Sequence, residues 1–246
     1  MFYSLLKSTT KKLIPKRYHA AIASLKARLT EYRLESYSQQ GEDVILRILF
    51  DGVQRGFYVD VGAFHPIQYS NTYYFYKRGW HGINIDATPG VLRAFKRCRP
   101  SDINLEAAVA MGNKQVTLFM FKEGGLNTLS PGLVEFHGKQ ATRQVVSSKV
   151  VRTRTLAEIL DAHKSPEQPI DFLSVDVEGY ELEVLQSNNW QKYVPRVVLC
   201  EDLTLTNLEE IGNSEVYNFL RAKGYGLFSK CFHTLIFAHA SFQNRR

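Results

Sequence analysis

Four acid-bearing segments of this 246-residue chain have the residue types and spacing to do chemistry. Each follows a short apolar run. Phe57-Tyr58-Val59 leads to Asp60, and Ile83-Asn84-Ile85 leads to Asp86. Residues 170–175 lead to Asp176-Val177-Glu178, and residues 196–200 lead to Glu201-Asp202. Bounded runs of this length predict buried strands of a parallel sheet. In open α/β sheets ligands sit outside the carboxyl ends of the strands. The four segments therefore predict a single pocket edged by carboxylates. Asp60 is expected where the first strand stops. Gly62 permits a tight turn and close backbone approach, so Asp60, Gly62 and Ala63 are expected to form the floor of a cofactor site. Asp86, at the end of the second strand, suits the two hydroxyls of a ribose.

The glycine pattern narrows the cofactor. A dinucleotide site needs G-x-G-x-x-G, because a pyrophosphate must approach bare backbone at a helix N-terminus. Here the run is Gly62-Ala63-Phe64-His65-Pro66-Ile67: the second and third glycines are missing, and Pro66 lacks a donor N–H. That counts against a nicotinamide-dependent oxidoreductase. S-adenosylmethionine carries no phosphate, and its sulfonium and ammonium suit a site lined by acids. Ser70, Asn71 and Thr72 are expected either to cap a helix or to hold the methionine moiety. His65, just past the glycine turn, is a candidate general base, as are Asp176 and Glu178. Two neighbouring acid-tipped strands can also hold a hard divalent cation such as Mg2+ through oxygen ligands. Asp176, Glu201 and Asp202 would be those ligands, and the ion would lower the pKa of an acceptor hydroxyl. The simpler alternative has Asp176 hydrogen-bonding acceptor or cofactor while Glu178 caps the next helix.

Tyr37-Ser38-Gln39-Gln40-Gly41-Glu42-Asp43, Val59-Asp60-Val61-Gly62-Ala63, Tyr69-Ser70-Asn71-Thr72-Tyr73, Arg78-Gly79-Trp80, Ile85-Asp86 and residues 171–179 together resemble the FkbM family of S-adenosylmethionine-dependent methyltransferases. The resemblance covers roughly residues 36–237. It implies a Rossmann-like α/β fold: a mostly parallel seven-stranded sheet, helices on both faces and a C-terminal antiparallel hairpin. It also implies O-methylation of a saccharide or another hydroxylated metabolite. By the same resemblance Gln39 and Gln40 lie next to the cofactor, and Glu106 and Ala107 lie near its adenine.

The remaining chain must position these groups. Residues 1–35 are expected to form a basic helical arm and residues 36–246 the catalytic domain. Within residues 1–33, Lys7, Lys11, Lys12, Lys16, Arg17, Lys26, Arg28 and Arg33 face only Glu31, which accounts for the whole net charge of +7. Tyr18, Ile22, Leu25, Leu29 and Tyr32 recur at helical spacing and make one apolar stripe. That stripe could pack on the domain or on a second subunit, or lie on an anionic membrane surface. A non-catalytic membrane- or partner-binding protein on a methyltransferase fold is the remaining rival. Nucleic acid is not expected as a partner, since the balanced body offers no basic continuation. Cys98, Cys200 and Cys231 are scattered, which argues for small buried side chains in a reducing compartment and against zinc. There is neither an 18-residue apolar run nor a signal-peptide pattern. The expected location is the cytoplasm, with the inner membrane face as an alternative. Ser38 is expected to cap the helix that follows it. A hairpin is expected around Gly112-Asn113, and a long lid-like loop from Lys122 to Arg152.

Overall fold

The computed structural model describes residues 15–21, 34–138 and 143–243. The chain divides into two compact units, Met1–Glu35 and Ser36–Arg246. In the first, a 3-10 turn spans Lys16–Tyr18 and residues 19–21 are helical. The rest of the predicted apolar stripe, Ile22 to Tyr32, lies outside the described residues. No described helix is long and apolar enough to cross a membrane.

The second unit is built on a seven-stranded sheet in the order β3-β2-β1-β7-β8-β10-β9. Its parallel strands are β1 (Phe57–Val61), β2 (His81–Asp86), β3 (Ile103–Glu106), β7 (Phe172–Val175) and β8 (Val197–Glu201). The last two, β9 (Tyr225–Cys231) and β10 (Thr234–His239), form an antiparallel hairpin, and β10 also runs antiparallel to β8. Chain order reverses between β1 and β7, which puts a switch point at their carboxyl ends.

Both faces of the sheet are buried, so its central strands read as continuous apolar runs. Side chains alternate across it. Val59, Val61, Ile83, Leu173 and Val198 pack beneath α5 (Leu156–His163), α6 (Glu181–Gln186) and α7 (Glu215–Ala222). Tyr58, Phe172, Val197 and Leu199 face α1 (Glu42–Leu49) and α2 (Tyr73–Tyr76), against Leu46, Phe50, Phe75 and Trp80. Helix α3 (Leu92–Cys98) follows β2. Thr155 caps α5 in a reciprocal pair with Glu158, and Ser214 caps α7 by accepting the Tyr217 N–H. At α1 the cap is Gly41 rather than Ser38, although the Ser38 hydroxyl accepts the Asp43 N–H.

The middle of the chain departs from expectation. The run from residue 103 to 109 breaks at Ala107: Ile103–Glu106 pairs with β2, while β4 (Ala108–Val109) joins a separate three-stranded sheet. There β6 (Val145–Arg154) separates β4 from β5 (Gln115–Phe121), so no hairpin closes over Gly112-Asn113. The expected lid contains a 3-10 turn at Gly124–Leu126, then α4 (Pro131–Gly138) and β6. Strand β6 is mostly solvent-exposed, so it lacks the apolar alternation by which a half-buried strand is recognised. All three cysteines are free, and Cys98 is exposed, not buried.

Candidate active site

The turn after β1 starts the site. Gly62 has φ of +87°, and a Cβ there would fall 1.6 Å from the Asp176 carbonyl oxygen. Only glycine lets the ends of β1 and β7 approach this closely. The Gly62 and Ala63 N–H groups both donate to the Ile85 carbonyl, at 2.9 and 3.1 Å, and the Asp176 N–H donates to the Val61 carbonyl at 3.0 Å. Three strand ends are thereby tied together at the switch point.

Asp86 sets the next piece of loop. Its two carboxylate oxygens accept the Phe64 N–H at 3.0 Å and the Thr88 N–H at 2.7 Å. Burial raises its pKa, and these hydrogen bonds oppose the rise. Each oxygen retains acceptor capacity. Asp86, Phe64, Thr88, Ala107, Asn127 and Leu129 line a cleft running from the Gly62 turn to the small sheet. Among the described residues no Lys or Arg lines it.

A second chamber opens outward from this cleft. Gly62, Phe64, Gly124, Gly125, Asp176 and Glu178 line both, and Gln39, Tyr69, Glu123 and Arg143 line the outer one alone. The Gly124-Gly125 backbone lies flat on the Phe64 ring, where a Cβ would come within 3.4 to 3.6 Å. Phe64, Tyr69 and Glu178 adopt positive φ values of 29°, 56° and 55° without being glycine. Strain of this kind concentrates where side chains must be aimed.

Asp176 and Glu178 line both chambers, and Glu201, from the wall of a neighbouring pocket, reaches them. Asp176, Glu178 and Glu201 each place an oxygen within 4.8 Å of the others. Desolvation is the main cause that raises all three; the Asp176 charge adds to the rise at Glu178 and Glu201, while hydrogen bonding to Glu201 opposes the rise at Asp176. Asp176 is pushed up to about 6, Glu178 to about 8 and Glu201 to about 11. Glu201 Oε2 is buried without a hydrogen-bond partner among the described residues. Two further acids contribute to the field at Asp176 and Glu178. Glu42 accepts the Gln40 N–H and the Thr234 hydroxyl, and Glu181 accepts the Val177 and Gly179 N–H groups. Both raise the pKa of a neighbour, Glu42 that of Asp176 and Glu181 that of Glu178.

The comparisons with known proteins now bear on this arrangement. Residues 60–227 match the model of the methyltransferase FkbM domain. The chain belongs to the FkbM methyltransferase family. No curated protein matches it. A TehB-like SAM-dependent methyltransferase from Corynebacterium glutamicum is 10% identical, with 91% of this chain and 97% of that one covered at a TM-score of 0.38. An O-methyltransferase from Bacillus cereus, solved in complex with SAH, is 11% identical, with 96% of each chain covered at a TM-score of 0.36. These likenesses are too distant to add weight to the assignment, which rests on the family match and its S-adenosylmethionine-dependent chemistry.

In this methyltransferase several residues singled out by sequence fall elsewhere than expected. Asp60 does not end its strand. It sits within β1, 6% exposed, on the face opposite Val59 and Val61, and lines neither chamber. There it accepts the Thr72 hydroxyl at 2.9 Å. Thr72 in turn accepts from Arg99, which is fully buried and also donates to Asp102 and Tyr58. Ser70 shares this network, and Asn71 donates to Ser174. The three residues 70–72 therefore brace the layer beneath the site and line neither chamber. Ser70 also accepts the Tyr73 N–H at the start of α2. Ala63 packs against Leu92 and Phe95.

His65 does not reach the acids. Its Nδ1 accepts the Ile67 and Gln68 N–H groups and closes a local turn, and the residue lines neither chamber. Glu106 accepts the Gly90 N–H outside the cleft, while Ala107 lines it. Gln39 reaches the outer chamber. Gln40 does not, because its amide is oriented to donate to the Cys231 carbonyl and Glu42. Asp202 is spent on structure: its oxygens accept the Thr204 N–H and hydroxyl and the Ser214 hydroxyl. Glu178 takes its place in the acid cluster, and the helix-start role assigned to Glu178 belongs to Glu181. Sequence reading missed Arg99, Glu42, Asn127 and Arg143. An arginine directly before Pro100 reads as the end of a helix, and nothing local reveals what it touches across the fold.

Proposed function

We propose that this chain transfers the methyl group of S-adenosylmethionine to a hydroxyl oxygen of a saccharide or related hydroxylated metabolite. The observation that carries the reading is that Asp176 and Glu178 line both a cleft and an outer chamber and converge there with Glu201. The inner cleft suits the cofactor: Gly62 admits close approach, Asp86 offers lone pairs to ribose hydroxyls, and Ala107 gives a small apolar wall. The sulfonium supplies an already activated methyl, so the protein must align an acceptor oxygen with it and help remove the proton. Glu178, pushed up to about 8, and Asp176, pushed up to about 6, are both tuned near neutrality, where a general base works best.

The same cluster fits a hard divalent cation. It offers carboxylate oxygens in close convergence, one of them buried and orphaned. Asp176, Glu178 and Glu201 would hold Mg2+, which would stabilise an acceptor alkoxide when bound.

Calorimetric titration of the purified protein with S-adenosylmethionine, S-adenosylhomocysteine and NAD tests the cofactor. Binding of the first two alone, weakened at least tenfold in Asp86→Ala, is expected. Binding of NAD, or of nothing by a folded sample, would refute the reading. Residues 1–35 are assigned to association with a second subunit or an anionic membrane surface. Deleting residues 1–33 should reduce vesicle binding or oligomer size and leave cofactor affinity within twofold. A fall in cofactor affinity instead would place the arm in the site.

A further inference from the structure

Among the described residues, the basic side chain that lines either chamber is Arg143. Arg143 lines the outer chamber with Asp176, Glu178 and Glu123, yet pairs with no carboxylate within 4 Å among the described residues. Its contact is with a histidine: Arg143 Nη1 lies 3.1 Å from His137 Nδ1. A guanidinium has donors and no acceptors, so His137 Nδ1 must be the acceptor here. That holds the ring neutral, with its proton on Nε2. The ring is 3% exposed and packs edge-on to Phe121 at 5.6 Å. Phe121 is tied to the inner cleft, since its N–H donates to Asn127. A rigid buried acceptor therefore takes one N–H of Arg143 and leaves the rest of its planar fork for the chamber.

We propose that Arg143, oriented by His137, receives an oxyanion of the acceptor, so that the acceptor is a hydroxylated carboxylate or phosphate such as a uronate or a sugar phosphate. This rests on the methyl-transfer reading and adds a substrate class to it. The acids at the junction take the hydroxyl end, and the arginine takes the anionic end. Arginine suits the task because its fork matches carboxylate and phosphate oxygens pairwise. His137 is a positioning residue that acts through Arg143.

The test uses the full chain loaded with S-adenosylhomocysteine and three probes: glucuronate, glucose 6-phosphate and glucose. Binding is read by ligand-observed NMR and calorimetry. At least one anionic probe is expected to bind about tenfold more tightly than glucose, and which one it is separates carboxylate from phosphate. Arg143→Met should remove that preference, Arg143→Lys should keep part of it, and His137→Phe should weaken it. All three should leave S-adenosylhomocysteine affinity unchanged. Equal binding of the three probes, a preference that survives Arg143→Met, or no binding of either anion by cofactor-loaded protein would overturn the proposal. Failure to bind S-adenosylhomocysteine at all would instead sink the methyl-transfer reading beneath it.

Discussion

Replacing Gly62 with alanine tests the geometry on which the site depends. Two effects act there and can be separated. The first is conformational: a residue with a Cβ at φ of +87° costs about 1–2 kcal/mol. The second is steric, since the new Cβ would lie 1.6 Å from the Asp176 carbonyl oxygen, which is backbone and cannot swing away. Relief requires the ends of β1 and β7 to separate, at the expense of the Asp176-to-Val61 and Gly62-to-Ile85 bonds. Losing these adds about 1–2 kcal/mol. The sum is about 3 kcal/mol, or a fall in Tm of about 6–12 °C for a domain of this size. Gly79→Ala is the control. Its φ is +85° and a Cβ there meets nothing within 4 Å, so only the conformational effect applies. It should lower Tm by about 2–8 °C at about 1–2 kcal/mol and leave cofactor binding intact. Thermal and urea unfolding of both variants, with calorimetry for S-adenosylmethionine, gives the comparison. If Gly62→Ala were no less stable than Gly79→Ala and bound the cofactor like wild type, the close approach of the two strand ends would be refuted.

Two further outcomes concern buried charge. Arg99→Met should destabilise the fold by about 3–5 kcal/mol in urea unfolding, because it leaves the buried Asp102 carboxylate without its counter-ion and removes a donor from the Tyr58 and Thr72 hydroxyls. A loss below 1 kcal/mol would mean that the network does not brace the site. The second outcome is a pH dependence. Folding raises the pKa of Glu178 from 4.5 to about 8, chiefly by desolvation, so the folded state binds more protons than the unfolded one above pH 4.5. Its stability contribution is complete below about pH 4.5 and is lost as pH rises to about 8, with a slope of up to ~1.4 kcal/mol per pH unit. Glu178→Gln should flatten that decline in metal-free protein, and millimolar Mg2+ should flatten it in wild type. An unchanged slope in the variant would remove Glu178 from the acid cluster.

Much of the architecture was legible in local pattern. Apolar runs bounded by glycine and acid mark strands buried on both faces, and their alternation with amphipathic helices predicts a parallel sheet with its site at the carboxyl ends. The positions of Gly62, Asp86, Asp176, Glu178 and Glu201 at or just past strand ends were legible for the same reason. Strand β6 was not, because a strand exposed on both faces carries no alternation to read.

What the sequence alone determined is therefore the frame: the strands of the seven-stranded sheet, the family and the glycine at the turn. Tertiary structure decided which acids face the site. Asp60 turns away because it lies on the face that packs against α2, where Arg99 and Thr72 compensate its burial. Asp202 is taken up by Thr204 and Ser214, whereas Glu178, on a turn with positive φ, is aimed into the cluster. The direction of a loop side chain, and the partner that neutralises a buried charge, are set by contacts between residues far apart in the chain. Arg99, Thr72 and Asp60 form such a chain, and no local period encodes it.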